Sequence, residues 1–224
     1  MFLYYFGLAI TVLWALLALY LWYGRSRMYY LKNISPAPFD TPPVVIIIAV
    51  RNEEEHLEQA LQSVLQLQYK PLRIMAINDR STDRTGTILQ QLHQQYPHLI
   101  VKNITSLPEG WLGKNHALYT GYQSTWEEWL LFVDADVVFA PDTLQKALYY
   151  ATKNGLDHLT VLPEVASRSK LLNSLLANFL ILLEVRQRPW DVRNPASNAY
   201  LGVGAFNLVR RMAYQKAGTH AAIA

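Results

Sequence analysis

The run VVIIIAV, from Val44 to Val50, contains no polar side chain and is rich in β-branched residues. Successive side chains of a strand point to opposite faces, so a run that is apolar throughout has to be covered on both. Two further runs, LRIMAIN (Leu72 to Asn78) and WLLFVD (Trp129 to Asp134), make the same demand. Helical patterns lie between them. In RNEEEHLEQALQSVLQLQY, Asn52 can cap a helix, Glu53, Glu54 and Glu55 suit its amino-terminal dipole, and Leu57, Leu61, Val64 and Leu65 recur at helical spacing. The segment after DRSTDRTG reads as a helix through Tyr96, a short strand covers Leu99 to Ile104, and a helix runs from about Lys114 to Ser124. Strand and helix in alternation predict an α/β domain built on an open, mostly parallel sheet with helices on both faces.

Ligands of such sheets bind beyond the carboxyl ends of the strands. Polar residues collect there: Arg51, Asn52 and Glu53 after the first run, Asp79, Ser81, Thr82 and Asp83 after the second, Asp134 and Asp136 at the end of the later one. In extended backbone, residues i and i+2 share a side, so Asp134 and Asp136 can aim at a common point. Two carboxylates so placed resist joint ionisation unless a positive charge sits near them. A hard divalent cation, Mg²⁺ or Mn²⁺, is suited to oxygen ligands and can share its shell with substrate phosphates. A loop carrying two solvated acids is the plain alternative. A phosphatase of the haloacid dehalogenase type is another, because its core also opens on an apolar strand ending in DxD, but no clear acidic pair follows downstream. No GxGxxG follows the first strand, which disfavours a dinucleotide-dependent oxidoreductase.

The amino end obeys a different rule. FLYYFGLAITVLWALLALYLWY, Phe2 to Tyr23, carries no charge, and at about 1.5 Å per residue it can cross a hydrocarbon core of about 30 Å as a helix. Tyr4, Tyr5 and Phe6 at one end and Tyr20, Trp22 and Tyr23 at the other suit the headgroup level. A cleaved signal peptide would show a basic start, a shorter apolar core and a small-residue cleavage site, none of which is evident. Arg25, Arg27 and Lys32 follow at once, and this excess of positive charge predicts that the remainder is cytoplasmic, on the inner face of the cell membrane. Residues 1–24 thus read as an anchor, 25–43, with the proline-rich KNISPAPFDTPP, as a linker, and 44–224 as the folded domain. A net charge of +3 gives no reason to expect nucleic acid. The absence of cysteine excludes disulfides, thiolate metal sites and cysteine nucleophiles.

Taken together, VVIIIAVRNEEEHLEQALQSVLQLQY, AINDRSTDRTGTIL, LPEGWLGKNHAL and LLFVDADVVFAPDTL resemble the nucleotide-binding half of a family 2 glycosyltransferase of the GT-A fold. Within it they are similar to membrane-associated enzymes of the hopanoid-associated and carotenoid type. The resemblance implies a nucleotide-diphosphate sugar donor, usually a UDP-sugar, and a lipid-like or polysaccharide acceptor. It places Arg51, Asn52 and Glu53 around the base and gives Asp79, in NDRSTD, a hydrogen bond from that base. It sets Lys114 near the donor sugar or diphosphate, Asp134 at the ribose or sugar, and Asp136, with Asp134, on the metal. Asn78 stands where the family has an acid and Arg80 where it has glycine, which puts the turn between them in question. A non-catalytic, membrane-tethered module that binds a nucleotide sugar is the alternative from another class.

Farther on, LTVLP reads as a strand and Leu171 to Val185 as a strongly apolar helix, short for a span, lying at the bilayer surface near the acceptor or packed as core. Arg186, Arg188, Arg193, Arg210 and Arg211 are expected neighbours of anionic headgroups. YLGVGAFNLVRRMAY resembles the family's glycine-rich strand before the acceptor site. The resemblance places the general base in an acidic pair beyond Ala224, with further membrane helices after it, so the domain reads as incomplete and the chain alone as poorly active. His220 is a poor substitute for that base.

Overall fold

The computed structural model describes residues 1–165, 169–194 and 196–224. In chain order these form α1 (Phe2–Ser26), β1 (Val44–Val50), α2 (Leu57–Leu65), β2 (Leu72–Asp79), α3 (Thr85–Gln95), β3 (Leu99–Ile104), α4 (Gly113–Tyr122), β4 (Trp129–Asp134), α5 (Thr143–Lys153), β5 (His158–Thr160), α6 (Lys170–Gln187), β6 (Asn207–Arg210) and α7 (Arg211–Lys216). They belong to two compact units, Met1–Asn33 with Glu164–Gly202, and Ile34–Pro163 with Val203–Ala224. The segment Glu164–Gly202, which the sequence suggests is continuous with the sheet domain, therefore groups with the amino-terminal helix.

The second unit holds the sheet. Among the described residues its strands lie in the order β3-β2-β1-β4-β6-β5. β1 pairs in parallel with β2 and β4, and β2 with β3, whereas β6 runs antiparallel to β4 and β5. β1 occupies the middle, which is why its run has to be apolar on both sides: Val44, Val45, Ile46, Ile47 and Val50 are all fully buried. Val45, Ile47, Met75, Ile77, Leu130 and Phe132 pack with Ala117 and Leu118 of α4 in one core layer. At Gly121 of α4 a Cβ would stand 2.5 Å from the Ile47 side chain, so glycine lets the helix lie down on β1.

Three elements depart from the sequence pattern. α2 starts at Leu57, well after Asn52. Asn52 has a φ of 53°, a left-handed conformation that a helix cannot extend from, and the three glutamates lie in the loop ahead of the helix. The strand expected across LTVLP is confined to His158–Thr160. β6 enters beside β4 with reversed direction, so the sheet is parallel on one side of β4 and antiparallel on the other.

In the first unit, α1 is long and apolar enough to cross a membrane and is unburied throughout its most apolar window. Arg25 at its end donates from Nε to Glu184 of α6, at 3.0 Å from Oε2 and 3.2 Å from Oε1. Trp190 lies over Gly24, where a Cβ would meet its ring at 2.4 Å, and packs edge-on against Tyr20. α6 is capped by Ser169 and ends at Arg188, whose φ is 47°. Its large apolar side chains are not core: Leu171, Leu175, Phe179 and Leu182 are exposed.

Candidate functional site

Parallel pairing sets Ala49 beside Asp134 and Val50 beside Asn78, so β1, β2 and β4 all finish at one rim. A cleft of about 360 Å³ opens there, lined by Arg51, Glu53, Asp79, Gly113, Lys114, Asp134 and Asp136. Of the residues assigned to a donor site by the sequence, Asn52 alone is not part of the lining. It works one layer back. Its Oδ1 accepts from Thr82 N at 2.8 Å, and its own N–H donates to Ser81 Oγ at 3.1 Å.

Those two bonds are part of a longer seam between the loops after β1 and β2. Glu53 N donates to Thr85 Oγ1 at 2.9 Å, Glu54 N to Asp83 Oδ2 at 3.3 Å, and Arg84 N to Glu54 Oε2 at 2.9 Å. Asp83 also accepts from Thr85 N at 3.0 Å. The hydrogen bonds from Thr85, with that from Glu54, hold the Asp83 carboxyl below its usual range. The polar cluster STD is thus the framework that fixes the rim, while the residue two positions ahead of it faces the cleft.

That residue is Asp79, 2% exposed. Arg80 folds back on it, with Nε 2.7 Å from Oδ1 and Nη2 3.1 Å from Oδ2. The backbone of Arg80 has a φ of 56°, so the position keeps the left-handed turn that a glycine there would favour. A bidentate ion pair compensates the unfavourable conformation. Asn78 is turned away from the cleft, with Nδ2 2.9 Å from Asn103 Oδ1 on β3. Gly113, which opens α4, lies so near that a Cβ would come within 2.6 Å of Asp79 Oδ2 and 2.9 Å of Arg80 Nη2. Neither Arg80 nor Gly113 is singled out by sequence periodicity. The only signal was the break from the family pattern at Arg80.

The opposite wall is carried by β4. Its extended conformation ends at Asp134, and Asp136 sits in the turn that follows, so the turn and not strand alternation brings both carboxylates to the cleft. Gly204 presses against Asp134: a Cβ there would stand 2.6 Å from Oδ2, and the Gly204 carbonyl accepts from Asp134 N at 3.1 Å. Lys114, in the first turn of α4, donates from Nζ to Asp134 Oδ1. A lysine in a helix's first turn opposes the dipole, so this one is explained by its acidic partner and not by helix formation. Glu53 completes the acidic side. Burial first, then the charges of Asp136 and Asp134, hold its carboxyl above the usual range, although His56 acts the other way.

These acids suit a hard cation in chemistry, and the protein would supply only part of its shell. Among the described residues no group of three or more His, Cys, Asp or Glu side chains converges as a metal site. Asp134 and Asp136 could offer a cation two carboxylates, leaving most of a six-oxygen shell to phosphate and water, which is the manner in which Mg²⁺ is commonly held.

His220 is half-buried, with Nδ1 2.6 Å from Tyr214 Oη, and its backbone N–H donates to the same oxygen. Burial, with the nearby Lys114 charge, keeps its pKa below the ordinary value, and burial pushes Tyr214 up to about 12. The Tyr214 hydroxyl occupies Nδ1, which argues against the use of that nitrogen as a base. Arg210 and Arg211 are likewise engaged. Arg210 lies 3.1 Å from Asp157 and 3.4 Å from Glu128, and Arg211 donates to the Glu127 carbonyl at 2.7 Å.

Residues 45–218 match the profile of glycosyl transferase family 2. The chain is similar to 4,4'-diaponeurosporenoate glycosyltransferase of Staphylococcus aureus: 31% identical over 126 residues in strain MRSA252, covering 56% of this chain and 32% of that protein. For the protein of strain N315 the identity is 33% over 114 residues, covering 51% of this chain and 29% of the relative. The match thus spans about a third of the length of these curated relatives. Among solved structures, the mannosyltransferase PcManGT from Pyrobaculum calidifontis, in complex with GDP-Man and Mn²⁺, superposes with a TM-score of 0.68 at 20% identity, covering 95% of this chain and 57% of that one. At this identity the likeness concerns the fold. These findings do not favour a phosphatase or a non-catalytic module.

Proposed function

The chain belongs to glycosyl transferase family 2, and from that premise we propose that it binds a nucleotide-diphosphate sugar, UDP-sugar first among them, for transfer to a lipid-like acceptor at a membrane. The observation that carries the proposal is the convergence of Asp79, Lys114, Asp134 and Asp136 on one cleft at the carboxyl ends of three parallel strands. Asp79, braced by Arg80, supplies a carboxylate for an N–H of the base, and Arg51 stands beside it. Asp134 would face the ribose or sugar hydroxyls. Lys114 would meet the diphosphate, which an ammonium at a helix amino terminus attracts. Mg²⁺ or Mn²⁺, held by Asp136 with Asp134, would supply charge neutralisation of the leaving diphosphate.

The chemistry is an inverting displacement: an acceptor hydroxyl loses its proton to a base, attacks the anomeric carbon and expels the nucleoside diphosphate. What this chain's residues contribute is orientation of the donor, with the Lys114 ammonium available to the charge that develops on departure and two carboxylates that would hold the cation. A lipid-like acceptor is supported by the apolar span of α1 and by the named carotenoid-acid activity of the Staphylococcus aureus relatives. The exposed apolar side chains of α6 are consistent with a seat at the bilayer surface.

The test is calorimetry on the full chain in detergent. UDP should bind with Mn²⁺ present, and Asp136→Ala should weaken that binding at least ~10-fold while leaving the melting temperature nearly unchanged, because Asp136 is exposed. Binding that ignores both chelator and Asp136→Ala would refute the assignment.

A further inference from the structure

We propose that Lys114 and a divalent cation compete for one carboxylate, Asp134, and that the donor's diphosphate admits the cation by drawing Lys114 away. The inference rests on the donor-site reading above and adds an order of events to it. Three observations carry it.

First, Lys114 donates to the Asp134 carboxylate that the cation would use. An ammonium and a divalent ion on one carboxylate repel each other, so each lowers the other's occupancy. Second, Asp134 is hemmed in on the side of Gly204. Gly204 packs so closely that a Cβ would fall 2.6 Å from Oδ2 and 2.9 Å from Oδ1, and the two backbones are joined by the Asp134 N–H to the Gly204 carbonyl at 3.1 Å. Third, Lys114 can move. Its side chain is 54% exposed on a flexible four-carbon stem, at the amino terminus of α4, where a diphosphate would also find free backbone donors.

Lys114 is therefore the freer of the two to move, and the diphosphate is the stronger partner for the ammonium because it carries more charge. Linkage makes the effect reciprocal: whatever factor the nucleotide adds to metal affinity, the metal adds to nucleotide affinity. The arrangement also keeps the acidic wall of Asp134, Asp136 and Glu53 partly neutralised by the protein's own cation.

The competition has an unusual signature, since removing a cation from the site should improve metal binding. The experiment titrates the full chain in detergent with Mn²⁺ alone, with UDP alone, and with both, reading free Mn²⁺ by electron paramagnetic resonance and nucleotide by calorimetry. In Lys114→Gln, Mn²⁺ alone should bind at least ~3-fold more tightly than in the wild type, the order expected on losing a half-exposed ion pair. UDP alone should bind more weakly, and the factor by which each ligand helps the other should shrink. Lys114→Arg should keep the wild-type Mn²⁺ affinity, which separates charge from a packing effect. If Lys114→Gln binds Mn²⁺ with unchanged or lower affinity while Mn²⁺ and UDP still bind at Asp136, the competition is wrong and the donor site stands. If the wild type binds neither ligand, the donor site and the competition both fall.

Discussion

At the scale of single residues, the site is shaped as much by what is missing as by what is charged. Gly113 has no side chain because none fits between α4 and the pair formed by Asp79 and Arg80. Gly113→Ala should push a methyl into those atoms and displace either the helix terminus or the carboxylate. Nucleotide affinity measured by calorimetry is expected to fall about 10-fold or more, since misplacement by about 1 Å is enough for such losses. An alanine variant that binds UDP as the wild type does would show that Asp79 is not a contact. The charged residues were legible because their types speak for themselves: two aspartates at the end of an apolar run ask for a cation. The glycines and Arg80 were not, because their roles depend on backbone approach between segments far apart in sequence. Asp136 shows the limit from the other side, since it reaches the cleft through a turn that strand alternation does not describe.

At the scale of elements, the seam between the loops after β1 and β2 decides where the helices begin. Asp83, Thr85 and Asn52 bind backbone donors across it, and this is why α2 waits until Leu57 although Asn52 and three glutamates look like a helix start. The sign of its pH dependence follows from Asp83. Its carboxyl titrates below the ordinary value in the folded protein, so it stabilises the fold above its unfolded pKa and that contribution is lost as pH falls through the lower, folded value. Asp83→Asn should lower the denaturation midpoint at neutral pH, and the gap from the wild type should close in acid below that folded value. A gap of equal size at both ends of the pH range would mean that shape, not charge, holds the seam. The parallel strands could be read from their composition, because only a strand covered on both faces has to look like VVIIIAV. The antiparallel β6 could not, since its four residues, Asn207–Arg210, carry no comparable run and its place beside β4 is set by long-range pairing.

At the scale of the whole molecule, the chain joins a unit with an exposed apolar helix to a unit with a covered sheet. α1 exposes Leu3, Leu13, Leu16 and Trp22, surface that only a bilayer or a partner can cover. Arg25 and Arg27 follow it on one side, and in a bilayer the positive-inside rule predicts a helix with its carboxyl end inward. On the proposed function, the cleft of Asp79, Lys114, Asp134 and Asp136 would need access to cytosolic nucleotide sugars, which predicts that same side. The two arguments are independent, one from charge at the membrane and one from the chemistry of the cleft, and they predict one topology. In intact cells a membrane-impermeant amine reagent should leave Lys70, Lys102, Lys146 and Lys153 unmodified, and should modify them once the membrane is opened. All four are in the unit that carries the sheet. Labelling of these lysines before lysis would place the cleft outside and detach it from its donor pool. In that case the positive residues after α1 would have to be read as partners of the protein itself, as Arg25 already is for Glu184, and not as a signal to the membrane.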